Sequence, residues 1–219
     1  MLQHQVVVVT GARGALGRAV RARFAEAGAV VAGIDREADI PANVIAADLG
    51  DAVSAERAIQ QLADQHGRID ALLNLAGGFT MAPAGELAPW DALWKMNLAT
   101  ALHTCRAVIP GMVARGHGAI VNIGARVQPA GAQMAAYAAS KSAVMRLTES
   151  LAEEVKASGV RVNCVMPSIL DTEANRRSMP DADFGKWVAP AALADVLAFL
   201  CSDHARAVTG ALIPVYGRM

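Results

Sequence analysis

A run of β-branched residues that leads into a glycine-rich turn constrains the fold of this chain most. Residues 5–9 are a glutamine followed by four valines, typical of a strand buried on both faces of a parallel sheet. A glycine-rich turn and a predicted helix follow. This order indicates a dinucleotide site, because glycine lets the backbone approach a pyrophosphate and a helix N-terminus favours its charge. The turn residues predicted to bind the cofactor are Gly11, Arg13, Gly14, Ala15, Leu16 and Gly17.

The rest of the chain alternates strand and helix. Further strands are predicted over residues 29–34, 44–47, 69–75, 119–123, 160–165 and 211–216. Helices are predicted over residues 51–66, 89–115 (interrupted at Pro110), 134–158 and 190–202. The pattern predicts one α/β domain over residues 1–219, a Rossmann-type doubly wound parallel sheet in the order 3-2-1-4-5-6-7 with helices on both faces. Residues 168–188 break the alternation and are predicted to form a lid, called the lid segment below.

Polar residues and glycines follow the predicted strands, at the edge where such sheets bind ligands. Asp35 stands about twenty residues after the glycines, where an acidic side chain holds the adenosine ribose. Its charge opposes a 2′-phosphate, whereas Arg13 and Arg36 attract one. The charge of Asp35 is expected to outweigh the attraction by the two arginines, so NADH is predicted in preference to NADPH. Three further residues follow the fourth strand and would keep the chain close to a ligand: Ala76, Gly77 and Gly78.

Tyr137 and Lys141 are four residues apart, so they lie on one face of the predicted helix. An ammonium beside a phenol favours the phenolate and lowers the phenol pKa, which suits a general acid. The alternative is a tyrosine at the edge of the core with a solvated lysine.

Composition limits the class of protein. Hydrophobic residues make up 54% and charged residues 18%, with a formal net charge of zero, which argues against nucleic-acid and membrane-surface binding. Cys105, Cys164 and Cys201 lack metal-ligand spacing, so no metal site is predicted and buried thiols of a cytoplasmic protein are expected. Sparse charge and apolar residues on the helices at 89–115 and 134–158 predict a homodimer or homotetramer. The residues concerned are Ala99, Ala101, Ala107, Val108 and Met112.

Together these features resemble the short-chain dehydrogenase/reductase family over the whole chain. The resemblance implies that Asp48 and Leu49 hold adenine and that Tyr137 is the catalytic acid. It implies that Lys141 is the partner of Tyr137 and holds the nicotinamide ribose, and that Asn97 binds a proton-relay water through its local backbone. The stretch that grips the carboxamide is matched by Pro167, Ile169 and Thr172.

One position departs from the family. Ala125 stands where the family usually has a substrate-orienting serine, with one residue fewer before Tyr137. Asn122, Arg126 and Gln128 are the possible substitutes. In this respect the chain resembles the quinonoid dihydropteridine reductase subfamily, which has alanine at the serine position. The lid segment also resembles that subfamily. The subfamily does not keep the asparagine that corresponds to Asn97.

Two classes of function follow. The first is an enzyme that moves hydride from NADH to an activated C=O or C=N acceptor, or an ordinary carbonyl or 3-oxoacyl reductase with a substitute for the serine. The second is a cofactor-binding sensor or scaffold. Retention of Asn97, Tyr137 and Lys141 favours the enzyme. The residues predicted to contact a small-molecule substrate are Ala125, Gln128, Phe79, Met179 and Trp187, the last three with lid packing as the alternative.

Overall fold

The computed structural model describes residues 2–219. Over these residues the chain forms a seven-stranded sheet in the order β3-β2-β1-β4-β5-β6-β7, with every neighbouring pair parallel. The predicted fold class and strand order are confirmed. The strands are β1 Val6–Thr10, β2 Val30–Asp35, β3 Val44–Ala46, β4 Ala71–Asn74, β5 Gly118–Ile123, β6 Val160–Pro167 and β7 Leu212–Val215.

Helices cover both faces of the sheet. They are α1 Ala15–Glu26, α2 Ala52–His66, α3 Leu87–Leu93, α4 Thr100–Arg115, α5 Ala135–Val155, α6 Glu173–Ser178 and α7 Pro190–Cys201. Strand β1 shows why two layers form, because successive side chains point to opposite faces. Val7 and Val9 pack with Phe24 of α1, while Val8 packs with Leu62 of α2. None of the helices within residues 2–219 combines the length and the apolar character needed to cross a membrane.

The long helical stretch before β5 is irregular at a different place from the one predicted. Helix α4 continues through Pro110, so the predicted interruption there is wrong. Val108 and Met112 are buried against the sheet on either side of the proline, and this packing supports the helix where the proline removes one backbone hydrogen bond. The irregular segment is instead a π-helical turn, Trp94–Ala99, between α3 and α4. It carries Asn97.

Three of the five residues on which the predicted subunit contact rested are part of the core, and the other two, Ala99 and Ala107, are half-buried. Ala101, Val108 and Met112 are at most 4% exposed, so they are covered within the chain and supply no surplus apolar surface. Other apolar side chains of the same stretch do remain exposed. They are Trp94, Met96, Leu102 and Val113, at 49%, 43%, 40% and 38%.

The lid segment is ordered by its own hydrogen bonds. Thr172 caps α6 by accepting from the Asn175 amide, and Leu170 forms a parallel bridge with Val188. Phe184 lies between the Arg176 guanidinium, 4.8 Å from its ring centroid, and the Trp187 ring, also at 4.8 Å.

Candidate functional site

The carboxyl ends of the central strands lie in one register line. Thr10 pairs with Asn74, Asn74 with Asn122, and Asn122 with Cys164. Because the strands are parallel, the loops that follow them emerge side by side at the edge of the sheet where ligands bind in this architecture. The Ala76 amide donates to the Thr10 hydroxyl at 3.0 Å, which fastens the turn after β4 to the glycine-rich turn.

The glycine-rich turn is packed so closely that it leaves no room for a side chain at two of its glycines. Gly11 has φ +62°, and a Cβ there would lie 3.1 Å from the backbone of Ala76. A Cβ on Gly17 would lie 2.2 Å from the Gly11 carbonyl oxygen, so glycine lets α1 pack against the turn. Helix α1 begins after Gly14 with no side-chain cap and no acidic residue in its first turn. The first-turn amides, including those of Ala15 and Leu16, therefore suit an anionic ligand.

Asp35 is held in place at the end of β2. Its carboxylate accepts from the backbone amides of Arg13 and Arg36, each at 2.8 Å. The Arg13 side chain turns to Glu37, with Nη1 2.5 Å from Oε2. Sequence reasoning missed Glu37, whose only signal is a second acidic residue two positions after Asp35.

Asp48 also has a partner that the sequence did not indicate. Its carboxylate accepts from the Gly50 amide at 2.9 Å and pairs with Lys95 Nζ at 3.2 Å. The Gly50 hydrogen bond and the Lys95 ammonium lower the pKa of Asp48. Leu49 beside it is buried, and its carbonyl oxygen is 3.0 Å from Nδ1 of His103. Lys95 is 47 residues from Asp48, and nothing in its local pattern distinguishes it from a surface lysine.

The Asn97 side chain joins the turn after β4 to helix α5. Its Oδ1 accepts from the Gly78 amide at 2.9 Å, and its Nδ2 donates to the Gly78 carbonyl at 3.1 Å and to Ser140 Oγ at 3.0 Å. The Ser140 hydroxyl donates to the Tyr137 carbonyl at 2.8 Å. Asn97 is 2% exposed, so these contacts are buried and satisfy the whole amide.

Lys141 is buried beside the same turn. Its Nζ donates to the Ile123 carbonyl at the end of β5, at 2.8 Å. A Cβ on Gly77 would lie 2.7 Å from Asn97 Oδ1 and 3.4 Å from Lys141 Nζ. Gly77 therefore keeps open the space between the two residues that the sequence predicted to be catalytic.

Burial has the largest effect on the pKa values of Tyr137 and Lys141. The attraction between ammonium and phenolate that the sequence predicted does not. Burial raises the pKa of Tyr137 to about 12, which is the reverse of the expected lowering, because the phenolate would lose its hydration. It lowers the pKa of Lys141 to about 8, because the ammonium is likewise desolvated. Near pH 7 Tyr137 carries its proton and Lys141 is still largely charged, so the site holds a protonated phenol and a cation.

The Tyr137 ring itself packs against apolar residues. Ala125 is 6% exposed and lies in a cluster with Val127, Met145 and Cys164, against which the Tyr137 ring packs. The edge of the phenol is covered by Phe79, whose ring lies 4.8 Å away in an edge-to-face arrangement.

The three residues considered as substitutes for the missing serine have different fates. Asn122 is fully buried, and its amide is shared between Asn74 at 2.8 Å and Thr148 at 2.9 Å, so it is wrong as a substitute. Arg126 is exposed and stacks over the Tyr216 ring at 5.0 Å. Gln128 is exposed and precedes Pro129 through a cis peptide bond.

The remaining predicted residues lie in β6 and the lid segment. Pro167 ends β6, and its carbonyl accepts from Arg126 N at 2.9 Å. Ile169 accepts from Val188 N at 2.9 Å. Trp187 is 8% exposed and packs on Phe184, which favours the lid-packing interpretation, and Met179 is half-buried after α6.

A parallel sheet with a glycine-rich turn after β1, an acidic residue after β2 and a tyrosine–lysine pair beside β5 defines an α/β protein of the dinucleotide-binding class. The family model for short chain dehydrogenases matches residues 5–183. The chain belongs to the short-chain dehydrogenase/reductase family and is an oxidoreductase of that family.

Relatives span nearly the whole chain. It is 34% identical to a D-threitol dehydrogenase from Mycolicibacterium smegmatis, over 99% of this chain and 93% of that protein. It is 31% identical to a 3-oxoacyl-(acyl-carrier-protein) reductase from Vibrio cholerae, over 100% and 98%. A solved short-chain type dehydrogenase/reductase from Mycobacterium ulcerans superposes with a TM-score of 0.93 at 25% identity, over 99% and 90%.

Proposed function

We propose that the chain is an NADH-dependent reductase of activated acceptors, in which Tyr137 donates the proton. The observation that carries the proposal is the contrast around Tyr137. A buried hydrogen-bonded asparagine and a buried lysine lie near its helical turn, while its ring packs against an apolar cluster that includes Ala125. The site therefore contains a proton donor, but a substrate oxygen would find no serine hydroxyl at position 125.

The cofactor would lie along the carboxyl edge of the sheet. When bound, nicotinamide supplies the hydride. The amides after Gly14 would bind the pyrophosphate, Asp35 the ribose hydroxyls, and Asp48 with Leu49 the adenine. Lys141 would hold the second ribose, and the stretch from Pro167 to Thr172 the carboxamide. The glycines support this placement, because they leave no room for a side chain. A Cβ at Gly11 would meet the Ala76 backbone, one at Gly14 or Gly17 the Gly11 carbonyl, and one at Gly77 the Asn97 side chain.

Tyr137 would deliver its proton to the acceptor oxygen or nitrogen, so that hydride and proton together complete the reduction. Its high pKa in the protein keeps the proton on the phenol until negative charge develops on the acceptor. The Lys141 ammonium would stabilise the phenolate that remains. Asn97 would keep the turn at Gly78 and helix α5 in register, so that both groups face the same space.

The missing hydroxyl favours electron-poor, flat acceptors. A hydrogen-bond donor to a reacting carbonyl is worth about 1–3 kcal/mol or more, and a quinonoid or conjugated acceptor needs less of this help. Phe79 offers an exposed ring, 55% accessible, beside Tyr137 for contact with a flat substrate. The proposed preference for quinonoid acceptors agrees with the resemblance to quinonoid dihydropteridine reductases.

A second candidate is an ordinary alcohol or ketone oxidoreductase, since the relatives include a D-threitol dehydrogenase and a 3-oxoacyl reductase. In this candidate Gln128 would replace the missing serine, because its side chain is exposed. The Asn122 amide is instead hydrogen-bonded to Asn74 and Thr148.

NADH oxidation with a substrate panel separates these candidates. The panel contains quinonoid dihydropterin, a benzoquinone, a conjugated diketone, cyclohexanone and a 3-oxoacyl thioester. We expect the first three to be reduced well and cyclohexanone poorly. Equal rates with cyclohexanone would contradict the proposed acceptor class. Loss of cyclohexanone reduction in Gln128→Ala would establish the second candidate function. Tight NADH binding without turnover of any member would favour a sensor.

We also propose a homo-oligomer in which the exposed Trp94, Leu102 and Val113 are covered by a second subunit. The sedimenting mass at micromolar concentration tests this, and Leu102→Glu should lower it.

A further inference from the structure

Two acidic residues, Asp35 and Glu37, both form hydrogen bonds with Arg13 at the expected ribose end of the site. Asp35 accepts from the Arg13 backbone amide at 2.8 Å, and Glu37 binds the Arg13 guanidinium at 2.5 Å. The Arg13 carbonyl oxygen in turn accepts from the Arg18 side chain. Both the backbone and the side chain of Arg13 are therefore directed by neighbouring groups.

A 2′-phosphate on the cofactor would need a cation at this place. A guanidinium is the preferred partner of phosphate, because its N–H groups match two oxygens at once. Arg13 and Arg36 are the cations that flank Asp35 in the glycine-rich turn and after β2. An arginine already bound to a carboxylate must lose that contact before it can bind a phosphate.

We propose that Glu37 determines cofactor specificity, by holding the Arg13 guanidinium and so withholding it from the 2′-phosphate of NADPH. This inference rests on the proposed use of a nicotinamide cofactor and assigns a role to a residue outside the family's expected binding set. Asp35 supplies the hydrogen bonds that favour a free ribose, and Glu37 removes the cation that would compensate a phosphate.

The geometry distinguishes Glu37 from the other acidic residue of the segment. Asp39 acts on Arg13 through its charge, whereas Glu37 also makes the hydrogen bond. Exposed ion pairs of this kind contribute little to folding. The consequence of the pair is therefore expected in ligand selection and not in stability. The pair is exposed, with 41% of the Arg13 side chain and 78% of the Glu37 side chain accessible, so a ligand can reach the guanidinium.

The test is a set of four variants: Glu37→Gln, Asp39→Asn, Arg13→Ala and the double variant Glu37→Gln/Arg13→Ala. Each is titrated with 2′,5′-ADP and with 5′-AMP, which differ by the 2′-phosphate, and each is assayed with NADPH and NADH. In Glu37→Gln we expect the preference for 2′,5′-ADP over 5′-AMP, and for NADPH over NADH, to rise by about three- to fivefold, because the gain cannot exceed the strength of the exposed ion pair that competes for Arg13. Asp39→Asn should change either ratio by less than about twofold, since it removes a charge but no contact.

The double variant identifies the cation. If Arg13 is the group that Glu37 withholds, removing it should abolish the gain. A gain that persists in the double variant would assign the effect to Arg36 and overturn the proposal, as would equal gains in Glu37→Gln and Asp39→Asn. If the natural protein binds neither cofactor, the proposed function fails and this inference with it. If it binds NADH and Glu37→Gln leaves both ratios unchanged, the inference alone fails.

Discussion

The surroundings of Tyr137 divide into a polar and an apolar set of contacts, called its polar side and its apolar side below. On one side Asn97, Ser140 and Lys141 are buried polar groups, each with a hydrogen-bond partner at 3.1 Å or less. On the other side Ala125, with its apolar cluster, offers van der Waals contact alone. Buried polar networks impose a single geometry, because any displacement leaves a donor or acceptor unsatisfied. The proton-donating side is therefore specified closely, and the acceptor-binding side admits more than one shape of substrate.

This difference separates two requirements of carbonyl reduction, the delivery of a proton and the orientation of the acceptor. Only the first has dedicated polar groups beside Tyr137. Substitutions on the polar side should therefore reduce the rate with every substrate, whereas substitutions at Ala125 should change the ranking of substrates.

The largest effect is expected from Tyr137→Phe, which removes the proton donor and keeps the ring against Phe79. Turnover should fall by about 10²-fold or more, the usual loss with a general acid. Stopped-flow or steady-state NADH oxidation measures turnover, and quenching of protein fluorescence measures NADH affinity, which should change little. Tyr216→Phe alters the other tyrosine of the chain and serves as the control. A Tyr137→Phe enzyme with normal turnover would remove the distinction between the two sides.

Asn97→Ala tests whether the polar side is a connected unit. It leaves the half-buried Gly78 amide and the buried Ser140 hydroxyl without their partner, so we expect a loss of about 1–3 kcal/mol in unfolding free energy. A fall of about tenfold in turnover should accompany it, because positioning of the acid is impaired. Asn122→Ala is the matched control, since it also removes a buried amide with two partners. If both variants lose the same stability and the same turnover, Asn97 has only a structural role.

Lys141→Met tests the charge on the polar side through the pH dependence of stability. The pKa of Lys141 is about 8 in the folded protein and near 10.5 when unfolded, so above pH 8 the unfolded chain binds more protons. The natural protein should therefore gain about 1 kcal/mol relative to Lys141→Met between pH 7 and pH 9.

Urea unfolding of both proteins at the two pH values measures this difference. The thiols of Cys105, Cys164 and Cys201, whose pKa values burial raises to about 11 or 12, stay protonated in the folded protein up to pH 9. Their contributions therefore cancel between the two proteins, although the Lys141 charge lowers the pKa of Cys164. A difference that shrinks or reverses between pH 7 and pH 9 would mean that burial does not lower the pKa of Lys141.

The smallest effect is expected from Ala125→Ser, which adds one hydroxyl to the apolar side. Reduction of cyclohexanone should improve by about threefold, less than a well-placed donor provides, because the loop is one residue short. Reduction of quinonoid acceptors should be unchanged. Ala130→Ser, on the same loop but exposed, is the control. No gain with cyclohexanone would show that position 125 lies away from the substrate oxygen.

The strands and the glycine-rich turn could be predicted because their signals are local, and the strand order follows from the doubly wound architecture that they indicate. The run at Val6–Thr10 and the spacing of Gly11, Gly14 and Gly17 depend on residues close together in the sequence. The contacts that orient the side chains are not local. Lys95 reaches Asp48 across 47 residues, and Lys141 reaches the Ile123 carbonyl across 18. No periodicity encodes such pairs.

The errors have the same origin. Ala101, Val108 and Met112 look like surplus apolar surface only when the area of sheet beneath α4 is unknown. The direction of the Tyr137 pKa could not be predicted, because burial competes with the lysine charge and depends on tertiary packing.

The π-helical turn Trp94–Ala99 limits how this stretch can change in length. Lys95 and Asn97 lie two positions apart in it, one reaching Asp48 and the other Gly78 and Ser140. Deleting one residue to restore a regular α-helix would rotate everything before the deletion by about 100° relative to α4. One of the two side chains would then lose its partner. We therefore expect this turn not to tolerate insertions or deletions. Substitutions at the exposed Trp94 should leave the contacts of Lys95 and Asn97 in place.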